Sequence, residues 1–297
     1  MTDMRELKGS IVALVTPFAS DGSVDFEALA RLIDFHLENE TDALLILGTT
    51  GESSTMSHEE DDAVCEFTVK RVAGRIPVIA GSGSNSTQTM VEKSLSYQRL
   101  GADGLLLITP YYNKSNEEGI YRHFQAVLDA VDIPCILYNV PGRTGCSISE
   151  RNVARLAKHP RALGIKEASG DMSYAARIAC YVNDDFRLFS GNDDVVVPMM
   201  ALGASGVISV WANVMPREVH GMVWDFLEGR ISDALAQQLR CMNLIDALFC
   251  EVNPIPVKAA LEMMGFGKAE YRPPLCELSD GGRRRVEAAL KEVGLIG

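Results

Sequence analysis

Short apolar runs that end in Gly, Pro, Ser, Thr or Asn recur through the first 214 residues of the chain. They are SIVALVTPF from Ser10, ALLILGTTGES from Ala43, IPVIAGSGSNS from Ile76 and GLLLITPYY from Gly104. Then come PCILYNVPGRTG from Pro134, ALGIKEASG from Ala162, RLFSGND from Arg187 and GVISVWANV from Gly206. Each has the length of a strand buried on both faces, and several are rich in Ile, Leu and Val, as in a parallel sheet covered on two sides. Between the runs lie stretches of helical period. Phe26, Leu29, Ile33 and Leu37 share one face behind Asp25, a suitable N-cap, and Ser57 followed by Glu60 reads as a capping box. Alternating strand and helix signals predict an α/β fold, and a closed (β/α)8 TIM barrel satisfies them without leaving an edge strand. A doubly wound open sheet is the rival. After Val214 only helical periodicity remains, over 231–249, 256–264 and 282–293. The expected organisation is a barrel over residues 1–223 and a C-terminal extension of about three helices over 224–297.

At 297 residues and 47% hydrophobic positions, the chain suffices for one barrel of about 250 residues plus the extension; a disordered or disulfide-stapled chain is excluded. Acidic side chains outnumber basic ones by 40 to 28, a formal charge of −12. That field argues against nucleic acid or an anionic membrane as partner, and any anionic substrate must be gripped by a locally placed cation. The seven cysteines form no CxxC pair and are odd in number, which fits a reducing compartment. The apolar run at 11–15 is too short for a signal-peptide core or a membrane span, so a cytoplasmic protein is expected.

Several signatures of cofactor chemistry are missing. The five histidines, His36, His58, His123, His159 and His220, show no metal-binding spacing. Gly81-Ser-Gly83 lacks the third glycine of a dinucleotide fingerprint, and Gly48-Thr-Thr-Gly51 lacks the Lys that follows in a nucleotide phosphate loop. No G-x-S-x-G elbow occurs. No metal and no organic cofactor is therefore expected, and the chemistry falls to side chains.

In such a barrel those side chains stand at the C-terminal ends of strands. The ends offer Thr49, Thr50 and Glu52, Tyr111 and Tyr112, Tyr138 and Arg143, Lys166 and Glu167, and Asn192 and Asp193. Lys166 ends an apolar strand, and alternation is expected to put Ala162 and Gly164 on its face, leaving room inside the barrel. A buried ammonium must pair or lose its proton, so two roles are open: an ion pair with Glu167 or another carboxylate, or an amine nucleophile of depressed pKa for a carbonyl substrate. Lys258, in NPIPVK, is expected to snorkel from a helix opened by Pro254 and Pro256, and Lys93 to lie in an ordinary helical context. Arg143 can grip a carboxylate bidentately or be a plain loop arginine. Tyr138, on the face of Ile136, can relay protons or be structural, and Thr49 and Thr50 offer hydroxyls or merely shape a turn. Glu167 and Glu52 could suggest glycoside hydrolysis, but alternation points Glu167 away from Lys166, towards the helices.

With GTTGES, TPYYNK, YNVPGRTG, GIKEASGD, SGND and NPIPVK in order, the chain resembles the dihydrodipicolinate synthases of the class I pyruvate aldolase family, which includes N-acetylneuraminate lyase. The resemblance runs from about Gly9 to the C-terminus. It implies a TIM barrel with a helical extension, a homotetramer built as a dimer of dimers, and a lyase that condenses pyruvate with L-aspartate 4-semialdehyde through a Schiff base on Lys166. It also implies a proton relay of Tyr138, Thr50 and Tyr112, the last from a neighbouring subunit, with Arg143 on the semialdehyde carboxylate. Thr49 and Thr50 match the site of the pyruvate-derived carboxylate, lined by the backbones of Gly191 and Ile208. The arginine after YNVPG sets the chain apart from the sialic acid lyases; a related sugar-acid lyase or dehydratase, or a silent pyruvate-binding barrel, is the alternative. Ser53, His58, Asn85 and Tyr111 match the family's inhibitory lysine site. Asp61 and Thr89 depart from its lysine-sensitive pattern, so weak or absent lysine inhibition is expected.

Overall fold

The computed structural model describes residues 4–297. Among them, eight strands follow the apolar runs: β1 (Gly9–Ala13), β2 (Ala43–Ile46), β3 (Val78–Gly81), β4 (Gly104–Ile108), β5 (Cys135–Asn139), β6 (Ala162–Glu167), β7 (Arg187–Ser190) and β8 (Gly206–Ser209). Each pairs in parallel with its sequence neighbours, and β8 returns to β1, so the sheet closes into a barrel and the open-sheet rival is excluded. At the closing seam Gly206 has φ +154°, and a Cβ there would stand 2.0 Å from the Gly9 carbonyl oxygen. Only glycine lets the two strands meet so closely.

The helices between strands are α1 (Phe26–Glu38), α2 (His58–Val72), α3 (Thr87–Arg99), α4 (Glu117–Leu128), the single turn α5 (Pro141–Thr144), α6 (Glu150–Leu156), α7 (Met172–Ala179), α8 (Val196–Ala201) and α9 (Pro216–Leu227). The expected caps are in place. Asp25 accepts from the Ala28 amide, and Ser57 and Glu60 exchange side-chain and backbone hydrogen bonds as a capping box. The extension holds α10 (Ile231–Arg240), α11 (Met242–Leu248), α12 (Ile255–Met263) and α13 (Asp280–Glu292). What periodicity presents as one helix over 231–249 breaks at Cys241, and the divide at 223 falls inside α9. No described helix is long and apolar enough to cross a membrane.

Two apolar layers follow from strand alternation. Ile11, Ala13, Leu45, Ile79, Leu106, Ile136, Tyr138, Phe189 and Ile208 fill the barrel interior, while the opposite faces pack on the helices in a larger outer core. One expectation fails here. Ala162 belongs to the outer core and Leu163 to the interior, so Ala162 does not share the face of Lys166. The reason is a register shift on β5–β6: Cys135 pairs with Ala162, but Ile136 pairs with Gly164, leaving Leu163 as an extra residue. From Gly164 onward the register is regular, and Tyr138 stands beside Lys166.

Candidate active site

The bulge in β6 delivers Lys166 to the mouth of the barrel at 6% exposure. Its Nζ lies 4.4 Å from the centroid of the Tyr138 ring on the adjacent strand. Among the described residues no carboxylate forms an ion pair with it. Glu167, the partner the sequence left open, faces the other way, its Oε2 accepting from Asn139 Nδ2 at 2.7 Å and its Oε1 from the Ser169 amide at 2.6 Å. Burial lowers the Lys166 pKa to about 8; the buried Asp193 carboxylate opposes the shift and the Arg143 charge adds to it. Asp193 is itself held in place, accepting the amides of Val210 and Trp211 at 3.0 and 2.9 Å. At the end of β7, a Cβ on Gly191 would come within 2.6 Å of Ala168 Cβ and 3.0 Å of the Glu167 carbonyl oxygen, so the close approach to the end of β6 requires glycine there, with Lys166 Cε next at 3.1 Å. Ile208 lines the same interior from β8.

Tyr138 is buried, and desolvation pushes its phenol up to about 12, with the Arg143 charge and a hydrogen bond to Thr49 pulling the other way. A phenol so held stays protonated at neutral pH and passes a proton only by receiving another. Thr50, also buried, has its Oγ1 bonded by Asn253 Nδ2 at 2.9 Å. Arg143 lies exposed in α5 and donates from Nη2 to the Asn253 carbonyl at 3.3 Å. Thr49, Tyr138 and Arg143 line a cavity of about 450 Å³, whose wall also includes Ile108, Gly81 and Gly83. Thr49, Tyr138 and Arg143 therefore share one cavity. Lys166 and Thr50 are not on its wall, but Lys166 adjoins it through the Tyr138 ring and Thr50 through Asn253, whose carbonyl Arg143 bonds. The arrangement is suited to capturing a carbonyl while a carboxylate is gripped. Among the described residues no group of three His, Cys, Asp or Glu side chains could hold a metal ion.

The far wing of the cavity is lined by Ser53, His58, Asp61, Thr89, Lys93 and Tyr111. Asn85 is not on this wall; its carbonyl accepts from Asn113 Nδ2. Asp61 and Lys93 form a 2.8 Å ion pair, with side chains 1% and 11% exposed, and Lys93 also donates to Ser53 Oγ. Lys93 is thus not the ordinary helical lysine its context in α3 suggests. Lys258 departs further from expectation. Rather than snorkelling, it is 4% exposed and donates at 2.6 Å to the buried Glu52, with the Phe18 ring 4.4 Å away. A helix N-terminus pinned by Pro254 and Pro256 gives the stem no route to solvent once α12 lies on the barrel mouth. Apolar neighbours on both sides of Lys258 were the available signal. Tyr112 does not join the other relay candidates within its own chain: it is 92% exposed and held at φ +68°.

A model of the dihydrodipicolinate synthetase family matches residues 6–293. The chain is 50% identical over 289 residues to a 4-hydroxy-tetrahydrodipicolinate synthase of Pelobacter propionicus, covering 97% of this chain and 99% of that one. A crystal structure of dihydrodipicolinate synthase from Aquifex aeolicus superposes with a TM-score of 0.95 at 46% identity, covering 97% and 99%. The chloride-inhibited dihydrodipicolinate synthase of Acinetobacter baumannii, solved in complex with pyruvate, does so with a TM-score of 0.95 at 42% identity and the same coverage.

Proposed function

The chain belongs to the dihydrodipicolinate synthetase family, and from that premise we propose that its site condenses pyruvate with L-aspartate 4-semialdehyde to 4-hydroxy-tetrahydrodipicolinate, a step towards diaminopimelate and lysine. It is a lyase of the Schiff-base type. The observation that carries the reading is Lys166: buried, free of any ion pair among the described residues, and poised near neutrality beside Tyr138.

The neutral Lys166 amine attacks the keto carbon of pyruvate, and loss of water gives an imine. The imine withdraws electrons, so a methyl proton departs and an enamine forms. The enamine carbon attacks the aldehyde carbon of the semialdehyde, whose oxygen takes a proton. Transimination by the semialdehyde's own amine closes the ring and returns Lys166 as a free amine. Tyr138, Thr50 and Tyr112 carry the protons between these steps. Arg143 holds the semialdehyde carboxylate, the local cation that a chain of charge −12 needs. Thr49 and Thr50, with the backbone at Gly191 and Ile208, seat the pyruvate-derived carboxylate.

The functional unit is a homo-oligomer, a tetramer in our reading. Tyr112, exposed on its loop, would enter a second copy's mouth in this reading, and the exposed apolar stripe of Ile231, Leu235 and Leu239 along α10 also supports association. Its place is the cytoplasm, in keeping with seven free thiols. Lysine inhibition is weak or absent, because the carboxylate that would meet an incoming ammonium at Asp61 already holds Lys93. Borohydride treatment with pyruvate should add one reduced pyruvate to the intact mass, and Lys166→Ala should abolish it. Condensation of the semialdehyde should far exceed sialic acid cleavage. Absence of the adduct, or equal cleavage, overturns the reading.

A further inference from the structure

The loop after β2 and the helical extension touch at two buried points. Asn253 Nδ2 donates to Thr50 Oγ1 at 2.9 Å, and Lys258 Nζ donates to Glu52 Oε1 at 2.6 Å. Asn253 immediately precedes Pro254 at the start of α12, Lys258 lies within that helix, and Thr50 and Glu52 are two residues apart, so the contacts form a clasp. Glu52 sits at φ +55°, a conformation that costs a non-glycine residue energy and persists when its surroundings hold it. The clasp supplies that hold.

A threonine hydroxyl has one proton to give and two lone pairs to receive with. A carboxamide NH2 can only donate. With Nδ2–H bonded to its oxygen, Thr50 cannot turn its own proton towards Asn253 and must direct it elsewhere. We propose that Asn253 is a positioning residue that fixes the polarity of the Thr50 hydroxyl, keeping it a proton donor towards the substrate side, with the Glu52–Lys258 pair holding the amide in register. The same residue steadies Arg143 through its backbone carbonyl, so one point of the extension orients two members of the mouth. The inference rests on the relay role assigned to Thr50 above.

Asn253→Asp keeps the shape and reverses the chemistry, because an ionised carboxylate only accepts and draws the Thr50 proton to itself. The expected result is a fall in kcat for condensation of roughly a hundredfold, the scale of a misdirected acid–base step. Any rise in the KM for pyruvate, whose carboxylate Thr50 helps to seat, should be several-fold smaller than the fall in kcat, and borohydride trapping at saturating pyruvate should persist. In a Thr50→Val background, where no hydroxyl remains to orient, adding Asn253→Asp should lower kcat less than about threefold further, the coupling expected of contacting residues. Asn253→Ala with Thr50→Val gives a second cycle should the aspartate variant fail to fold, with the same non-additivity expected. Additive losses in the cycle, or wild-type kcat in both Asn253 variants, overturn the proposal. Failure of wild type to trap pyruvate at all would instead remove the Schiff-base reading on which it stands.

Discussion

Replacing Lys166 by Met should make the protein inactive and more stable. Burial lowers the Lys166 pKa from 10.5 to about 8, so the folded chain binds this proton more weakly than the unfolded one. Below pH 8 both states are protonated and the full cost of a buried ammonium is present; as pH rises from 8 to 10.5 the folded state sheds its proton first and the cost is relieved. Two and a half pKa units correspond to about 3 kcal/mol of destabilisation at pH 7, falling to about 1 kcal/mol at pH 9.5. Methionine fills similar volume without the charge, at a repacking cost of under about 1.5 kcal/mol. Urea unfolding of both proteins at fixed concentration, from pH 7 to 9.5, reads the difference. The expected result is a gap favouring the variant at pH 7 that narrows by about 2 kcal/mol at the alkaline end. A gap that stays constant with pH, or widens, refutes the claim that burial holds this amine near neutrality.

The rate of pyruvate trapping by borohydride should rise about tenfold per pH unit below 8 and level off above it; a rise continuing towards 10.5 would mean an ordinary lysine. Arg143→Ala should raise the semialdehyde KM roughly 10- to 100-fold, the worth of a charged hydrogen-bonded grip, with pyruvate trapping retained; an unaltered KM contradicts its role. Lys258→Met leaves Glu52 buried without its partner and should destabilise the fold by about 3–5 kcal/mol in denaturant titration, whereas a combined Lys258→Met and Glu52→Gln variant should recover much of that loss. Micromolar lysine should leave condensation rates unchanged; inhibition in that range would show that the Lys93–Asp61 pair yields to an outside ammonium.

Apolar run length and helical period carry the barrel because both cores, inside and outside the strands, impose their spacing on the sequence. They cannot carry the β6 bulge, since one added residue leaves composition unchanged while inverting which neighbours face inward, as Ala162 and Leu163 show. Lys166, Tyr138 and Arg143 are legible as candidates because the first two stand near the ends of apolar strands and the third in the turn that follows one. Lys93 and Lys258 are not, because their pairing with Asp61 and Glu52 joins segments distant along the chain. A helical lysine looks the same in sequence whether its tip meets water or a buried carboxylate. The Thr50–Asn253 contact spans 203 positions, and no local pattern announces it.

Thr50 and Glu52 are held from outside the barrel by residues 253 and 258, which are synthesised after all eight strands. A ribosome releases all eight strands before residue 253 emerges, so a nascent chain can close its sheet while the mouth still lacks its final supports. A chain stopped before that point would carry Lys166 without the contacts that Asn253 and Lys258 make to Thr50 and Glu52. The supports of Thr50 and Glu52 are thus drawn from a part of the chain made after the strands whose ends they brace.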